Sequence, residues 1–356
     1  MKKICFLIGN LNNSGGTERV TTLIANALAI KSHQVSILNL ADGSSPFFKV
    51  EPNIAIYSLY PKKISMKANY FGAVWRIRKF VIEHNIDTLI VVDSISCIFT
   101  IPALYGLKIN HICWEHFNFK NNNGVWLREL SRKFAVLFCD YVVTLTERDK
   151  EFWIKSLKYL KAKIITIPNP TPFSQIESIP KQSNKVVLAV GRLVSVKGYD
   201  ELLNIWSLVQ KKEKGWTLRI VGDGEELVEL KKLAQKLEVS NSVEFIAATS
   251  EISNFYKEAS IFCLTSKFEG FPMVLLEAQS FGLPIVAFDC DTGPSEIVYK
   301  EYLIENRDHS AFSEKLFEIM NMKTEDYSLL CQKSKLNNKK FSVENITSYW
   351  EKILNV

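Results

Sequence analysis

Residues 261–288, IFCLTSKFEGFPMVLLEAQSFGLPIVAF, hold the reading on which the fold turns. Ile261 to Ser266 is an apolar run with a polar end, the pattern of a buried strand. Pro272 suits the first turn of a helix, where its missing N–H costs nothing. Val274, Leu275 and Ala278 continue at helical spacing, and Gly282 with Pro284 closes the helix before a second strand, Ile285 to Phe288. Strand, loop, helix and strand in this order form a βαβ unit. Glu269 lies on its loop and Glu277 on its helix, with seven residues between them. Gly270 lets backbone approach a ligand closely, and the free N–H groups at the helix start attract anions. Two carboxylates that seek hydroxyls, flanking a phosphate cradle, match what a nucleotide-sugar site requires.

The same alternation extends both ways. Upstream in the second half, strands are expected at Lys185–Val190, Thr217–Val221 and Val243–Ile246, with helices at Tyr199–Lys211, Glu225–Leu237 and Ser250–Ala259. Beyond Phe288 come a strand at Tyr302–Ile304 and a helix at Ser310–Met320. The first half predicts strands at Ile4–Ile8, Gln34–Asn39, Ile54–Tyr57, Thr88–Val92, His111–Trp114, Tyr141–Leu145 and Ile164–Ile167, and helices at Glu18–Ala29 and Phe71–Glu83. Pro168 to Pro172 and then Ser174 to Asn184 interrupt the pattern as an inter-domain linker. The expected class is α/β: an N-terminal domain over 1–170, a second Rossmann-like domain over 171–342, and an amphipathic C-terminal helix over 343–356.

The segment 262–298, FCLTSKFEGFPMVLLEAQSFGLPIVAFDCDTGPSEIV, resembles the signature of the retaining glycosyltransferase family 4. AVGRLVSVKGYDELL at 189–203, LRIVGDGEEL at 218–227 and LNNSGGTERV at 11–20 are similar to further family motifs, in the family's order. The resemblance implies the GT-B fold, with two Rossmann-like domains facing across a cleft and the last helix returning to the first domain. It also implies metal-independent transfer from a UDP-sugar, with retention by front-face displacement and no protein nucleophile.

Several residues follow from these motifs. Arg192 and Lys197, after Gly191, bring two cations to a strand's carboxyl end, the ligand side of an open α/β sheet. The resemblance gives them the diphosphate, Glu277 the ribose hydroxyls, Glu269 the donor sugar, and the backbone N–H groups of Phe271, Met273 and Val274 the phosphates. The base side departs from the family pattern, because Ala247 and Ala248 stand where a glycine is frequent. Gly15 and Gly16 form a turn between strand and helix that either approaches donor closely or is only tight. Glu115-His116 ends the fifth strand. Related polysaccharide transferases carry a similar pair, which places His116 in the donor-sugar or acceptor pocket; a histidine that merely fixes a loop is the other reading.

Composition narrows the partners. The net charge of +6 divides unevenly: residues 1–170 carry 22 lysines and arginines against 12 acids. That half is expected to meet something anionic. No nucleic-acid motif is present, so an anionic inner-leaflet membrane surface is the better partner. Trp75 to Phe80 interleaves aromatics with cations. From Trp126 to Phe138, Leu127, Leu130, Phe134 and Leu137 share one side while Arg128, Arg132 and Lys133 supply charge. Each stretch is either interfacial or a core helix with a solvated basic side. No signal sequence is evident, and no apolar run reaches the roughly 18–20 residues of a membrane span. The seven cysteines are scattered and read as buried free thiols, with no metal site expected. The expectation is therefore a cytoplasmic, peripheral glycosyltransferase acting on a polyprenyl-diphosphate-linked saccharide in bacterial surface polysaccharide (O-antigen, capsule or glycan) assembly. A sugar-nucleotide epimerase and a non-catalytic partner subunit are the alternatives.

Overall fold

The computed structural model describes residues 1–122, 124–173, 176–177 and 179–354. Ser174, Gln175 and Ser178 of the expected linker, and the last two residues of the C-terminal segment, lie outside the described residues. The chain divides into two units, Met1–Pro172 with Val343–Val356, and Phe173–Ser342.

In the first unit the strands are β1 (Lys3–Ile8), β2 (Gln34–Asn39), β3 (Ala55–Ser58), β4 (Thr88–Val92), β5 (Asn110–Trp114), β6 (Tyr141–Thr144) and β7 (Lys163–Thr166). Its helices are α1 (Gly16–Ile30), α2 (Tyr70–Glu83), α3 (Cys97–Leu104), α4 (Trp126–Phe138) and α5 (Glu147–Ser156). The strands form one parallel sheet in the order β3-β2-β1-β4-β5-β6-β7. Helices cover both faces, so the central strands are buried throughout and read as unbroken apolar runs. One layer packs α2 against α3 and α3 against α4, with Ile77, Ala103 and Val136 sharing a core with Leu89 and Cys113. On the opposite face Trp114 meets Trp350 at 4.8 Å. Trp350 belongs to the C-terminal helix Val343–Leu354, which also pairs Glu351 with Lys31 at 2.6 Å.

The second unit carries β8 (Val186–Val190), α6 (Tyr199–Lys212), β9 (Thr217–Val221), α7 (Leu227–Lys236), β10 (Val243–Ile246) and α8 (Ile252–Glu258). There follow β11 (Ile261–Leu264), α9 (Met273–Ser280), β12 (Ile285–Phe288), α10 (Pro294–Ile297), β13 (Leu303–Ile304), α11 (His309–Met320) and α12 (Thr324–Asn338); the C-terminal helix is α13. Its sheet is again parallel, in the order β10-β9-β8-β11-β12-β13. Strand order reverses between β1 and β4 in one unit and between β8 and β11 in the other. Such switch points open a crevice at the strands' carboxyl ends.

Among the described residues four helices, α3, α5, the single turn α10 and α12, lie where no helix is expected from sequence. α3 begins in a Ser-Ile-Ser-Cys turn and contains Pro102, while α5 and α12 have weak apolar periodicity. The reading of α4 needs correction. Its apolar residues Leu127, Leu130, Phe134 and Leu137 are only half-buried, whereas Arg128 and Arg132 are 6% and 1% exposed. The helix turns Arg128 and Arg132 inward beside Ala135 and Val136 and leaves Leu127, Leu130 and Phe134 only partly covered. Of the three cations assigned to a membrane surface, only Lys133 is exposed.

Candidate active site

In the second unit the loops after β8, β9, β11 and β12 meet at the carboxyl end of the sheet, and the absence of side chains lets them meet closely. A Cβ on Gly222 would stand 1.9 Å from the Gly191 carbonyl oxygen, and one on Gly198, at φ +65°, 2.3 Å from that of Thr265. Close approach of Gly198 to Thr265 brings Lys197 across the switch point to the β11 loop. There its Nζ donates to Glu269 Oε1 at 2.6 Å, so two residues 72 positions apart form one ion pair. Arg192, on the same β8 loop, is exposed, and its guanidinium makes no hydrogen bond or ion pair among the described residues, while its carbonyl accepts the Val194 N–H at 2.9 Å.

The β11 loop is braced from below. Arg307 donates to the carbonyls of Thr265 and Ser266 at 2.8 and 3.1 Å and pairs with Glu201 at 2.8 Å. Thr292 donates its hydroxyl hydrogen to the Glu269 carbonyl. Neither bracing residue carries a local sequence signal, since each acts across distant loops. Gly270 leads into Phe271, which packs edge-on to Phe341 at 5.7 Å. Met273 and Val274 then open α9, and their N–H groups have no helical carbonyl to bond, whereas that of Leu275 already donates to Pro272 at 3.0 Å.

Glu277 lies on α9 and is 6% exposed. Tyr256 donates its hydroxyl hydrogen to Glu277 Oε2 at 2.7 Å and stacks on Phe281 at 5.3 Å. The tyrosine fixes the carboxylate's orientation, a role invisible in the sequence because α8 and α9 are separated by a strand. Near the expected base side, the Ala248 N–H donates to Asp223 Oδ2 at 3.1 Å.

The first unit presents a second cluster at its own strand ends. Gly15 caps α1 in an extended conformation and Gly16 is the first residue of that helix, both exposed beside the switch point. The centre of the cluster is Glu115, which is fully buried. Its Oε2 accepts from Ser94 Oγ at 2.5 Å and from Arg132 Nε at 3.0 Å, and its Oε1 accepts the N–H groups of His116 and Phe117, each at 3.1 Å. Arg132 also donates to the carbonyls of Phe119 and Asn118. Arg128 grips Asp93 through both terminal guanidinium nitrogens, at 2.6 and 3.1 Å. The loop from His116 to Phe119 is thus held by buried charge, and the two arginines expected at a lipid surface are its fasteners.

Burial dominates the titration of these groups. It pushes the Asp93 carboxyl up to about 6, reinforced by the neighbouring Glu115 and opposed by Arg128. It also raises Asp149, which accepts the Phe119 N–H at 2.7 Å, to about 7. His116 is pushed down to about 4, against the pull of Glu115. Its ring lies 4.5 Å from Trp114, and its Nε2 is buried without a partner among the described residues. A neutral imidazole with an unsatisfied nitrogen is suited to a ligand hydroxyl. The cysteines are less scattered than the sequence implies: Cys97, His111 and Cys139 bring their donor atoms within 4.8 Å of one another.

Comparison with known proteins bears on the family and the fold. The profile "Glycosyltransferase Family 4" matches residues 14–175 and "Glycosyl transferases group 1" matches residues 173–338. An uncharacterized glycosyltransferase of Haemophilus influenzae is 41% identical, over 99% of this chain and 100% of its own. The amylovoran biosynthesis glycosyltransferase AmsD of Erwinia amylovora is 29% identical, over 100% of both chains. At 28%, over 99% of this chain and 98% of its own, stands the GalNAc-alpha-(1->4)-GalNAc-alpha-(1->3)-diNAcBac-PP-undecaprenol alpha-1,4-N-acetyl-D-galactosaminyltransferase of Campylobacter jejuni. Among solved structures, a variant of S. aureus TarM in complex with fondaparinux, alpha-GlcNAc-glycerol and UDP superposes with a TM-score of 0.81 at 16% identity, covering 100% of both chains. That likeness is one of fold, and the fold is GT-B.

Proposed function

The chain belongs to glycosyltransferase family 4, and on that premise we propose that it moves a hexose or N-acetylhexosamine from a UDP-sugar to a polyprenyl-diphosphate-linked saccharide, with retention, in bacterial surface polysaccharide assembly. The Lys197–Glu269 ion pair across the β8/β11 switch point carries this reading. An ammonium has three donors, so Lys197 keeps two for phosphate oxygens while holding Glu269. Glu269, oriented by that bond, accepts from hydroxyls of the donor sugar. The Arg192 guanidinium takes the other phosphate, and Glu277, steadied by Tyr256, accepts from the ribose hydroxyls. The Met273 and Val274 N–H groups add the positive end of α9.

Bond breaking at the anomeric carbon leaves negative charge on the diphosphate. Arg192 and Lys197 stabilise it where it develops, and the departing phosphate oxygen takes the acceptor's proton. No group of the protein forms a covalent bond with the sugar, and no metal is required. The acceptor class is supported by the Campylobacter relative, whose name specifies an undecaprenol-linked substrate. It implies work at the inner face of the cytoplasmic membrane. Among the described residues no helix is long and apolar enough to cross a membrane.

The test is incubation of the purified protein with a panel of UDP-sugars and polyprenyl-diphosphate-linked oligosaccharides, with and without chelator, followed by mass spectrometry of the lipid product. A product one sugar longer, formed equally with chelator present, is expected. UDP release without an extended acceptor, or strict dependence on added manganese or magnesium, refutes the reading.

A further inference from the structure

Between Pro52 and Ile82 the chain has six lysines and arginines and no aspartate or glutamate. Lys62, Lys63 and Lys67 are exposed and make no ion pair among the described residues. Directly after them α2 presents Phe71 and Trp75, 84% and 60% exposed, one turn apart on its outer side. Ile82 continues that side at 51%. In a parallel sheet the helix that follows a strand begins at the strand's carboxyl end. α2 and α4 therefore both begin at the edge that carries the His116 loop. Side-chain contacts fix this alignment: Tyr70 Oη donates to the Ile98 carbonyl at the start of α3, and Arg128 reaches Asp93 at the end of β4. Trp126, the first residue of α4, is 68% exposed. Behind it runs a partly covered apolar strip of α4, from half-buried Leu130 and Phe134 to exposed Phe138.

We infer that this edge of the first unit is an interfacial anchor that seats in an anionic lipid bilayer, with Phe71, Trp75 and Trp126 in the headgroup–acyl boundary and Lys62, Lys63 and Lys67 on the lipid phosphates. The inference rests on the lipid-linked acceptor proposed above and names the surface that delivers it. Aromatic side chains at a bilayer interface keep their apolar body in the lipid boundary, and a wide exposed apolar patch on a globular unit marks an interaction surface. The acid-free run is complementary to an anionic leaflet, and α4 adds aliphatic and phenyl surface with a single exposed cation, Lys133. Arg128 and Arg132 take no part, because they are spent on Asp93 and Glu115. Attachment is therefore mixed: lysines bring the protein to the surface, and aromatics hold it when salt screens the charge.

The seven tryptophans make this directly measurable. Trp114, Trp153, Trp206, Trp216 and Trp350 are at most 3% exposed, which leaves Trp75 and Trp126 as the two within reach of lipid. The experiment mixes purified protein with vesicles of phosphatidylcholine containing phosphatidylglycerol, with acyl-brominated lipid in parallel, across a sodium chloride series. Tryptophan emission should be quenched by brominated lipid, and part of the bound protein should remain on vesicles in high salt. Changing Lys62, Lys63 and Lys67 together to Gln should weaken partitioning about 100-fold at low salt, from roughly a fivefold loss per charge. Changing Phe71, Trp75 and Trp126 together to Ser should remove the salt-resistant fraction, while the far-ultraviolet circular dichroism stays that of the parent. Absence of quenching, equal binding to vesicles lacking phosphatidylglycerol, or binding of oligouridylate in place of vesicles overturns the inference. Transfer to a short, water-soluble acceptor analogue is the separating arm. Transfer without vesicle binding sinks the anchor and leaves the enzyme reading standing; quenching without transfer does the reverse.

Discussion

Arg132 and Lys133 are adjacent on α4, both cationic, and are expected to give opposite results when each is changed to Gln. Arg132 is 1% exposed and donates to Glu115 and to two loop carbonyls. Arg132→Gln leaves the Glu115 carboxylate buried without its close cation, since the remaining arginine, Arg128, stands 3.6 Å away and is committed to Asp93. Breaking a buried pair on one side costs about 3–5 kcal/mol. For a unit of this size each kcal/mol lowers the melting temperature by about 2–4 °C, so a fall of about 6–20 °C is expected. Lys133→Gln, on the exposed side, should stay within about 0.5 kcal/mol of the parent. The assay is scanning calorimetry of the two variants beside the parent, with Arg132→Met/Glu115→Met as a third protein. Replacing both partners by apolar residues removes the stranded charge and should recover much of the loss. Equal melting temperatures for Arg132→Gln and Lys133→Gln would refute the assignment of Arg132 to the loop's internal support.

Four further outcomes follow from the two clusters. Lys197→Ala and Arg192→Ala should each lower kcat about 100- to 1,000-fold, the scale of losing one preorganised donor, measured by UDP release from the donor that the substrate panel identifies; turnover at the parental rate in folded protein contradicts the phosphate role. Glu277→Gln should weaken UDP binding in calorimetry, whereas Glu269→Gln should leave UDP affinity largely intact and change sugar selection; equal losses would show that the two roles are divided wrongly. His116 is held well below its ordinary 6.5, at about 4, so it contributes stability that is present above pH 6.5 and is lost as pH falls through 4. Its imidazole resonances should not titrate between pH 5.5 and pH 8, and a midpoint near 6.5 would place the ring in water. Gly222→Ala would force a methyl group against the Gly191 carbonyl; about 1–3 kcal/mol of destabilisation and weaker UDP binding are expected, and an unchanged melting curve would mean the loops part freely.

The strands were legible because both faces of a parallel sheet are covered, which writes the central strands as apolar blocks such as Thr88–Val92 or Val186–Val190. The Glu269 loop and α9 were legible for a local reason as well: glycine, proline and two acids stand within one βαβ turn. The direction in which α4 faces was not. Periodicity tells which residues share a side of a helix, not which side the fold turns inward. The inward choice here depends on Asp93 and Glu115, contributed by β4 and β5 and separated from α4 in sequence. Tyr256 beside Glu277 and Arg307 beneath the β11 loop were hidden likewise, since each contact joins segments that only the folded chain brings together. α3 escaped notice because Pro102 and a serine-rich start hide a helix whose burial comes from α2 and α4.

The closeness of Lys197 to Glu269 also bears on what the second unit ignores. A bare lysine at a helix-rich strand edge would attract any small anion, and inorganic phosphate and sulfate are abundant competitors. With a carboxylate 2.6 Å from its ammonium, the local charge is already balanced. An inorganic anion approaching Lys197 meets the repulsion of Glu269 and offers it little in return. A molecule that presents phosphate to the lysine and hydroxyl donors to the glutamate satisfies both at once. On the proposed assignment the pair acts as a two-key lock that disfavours small inorganic anions, which have neither hydroxyls for Glu269 nor a nucleoside to hold them.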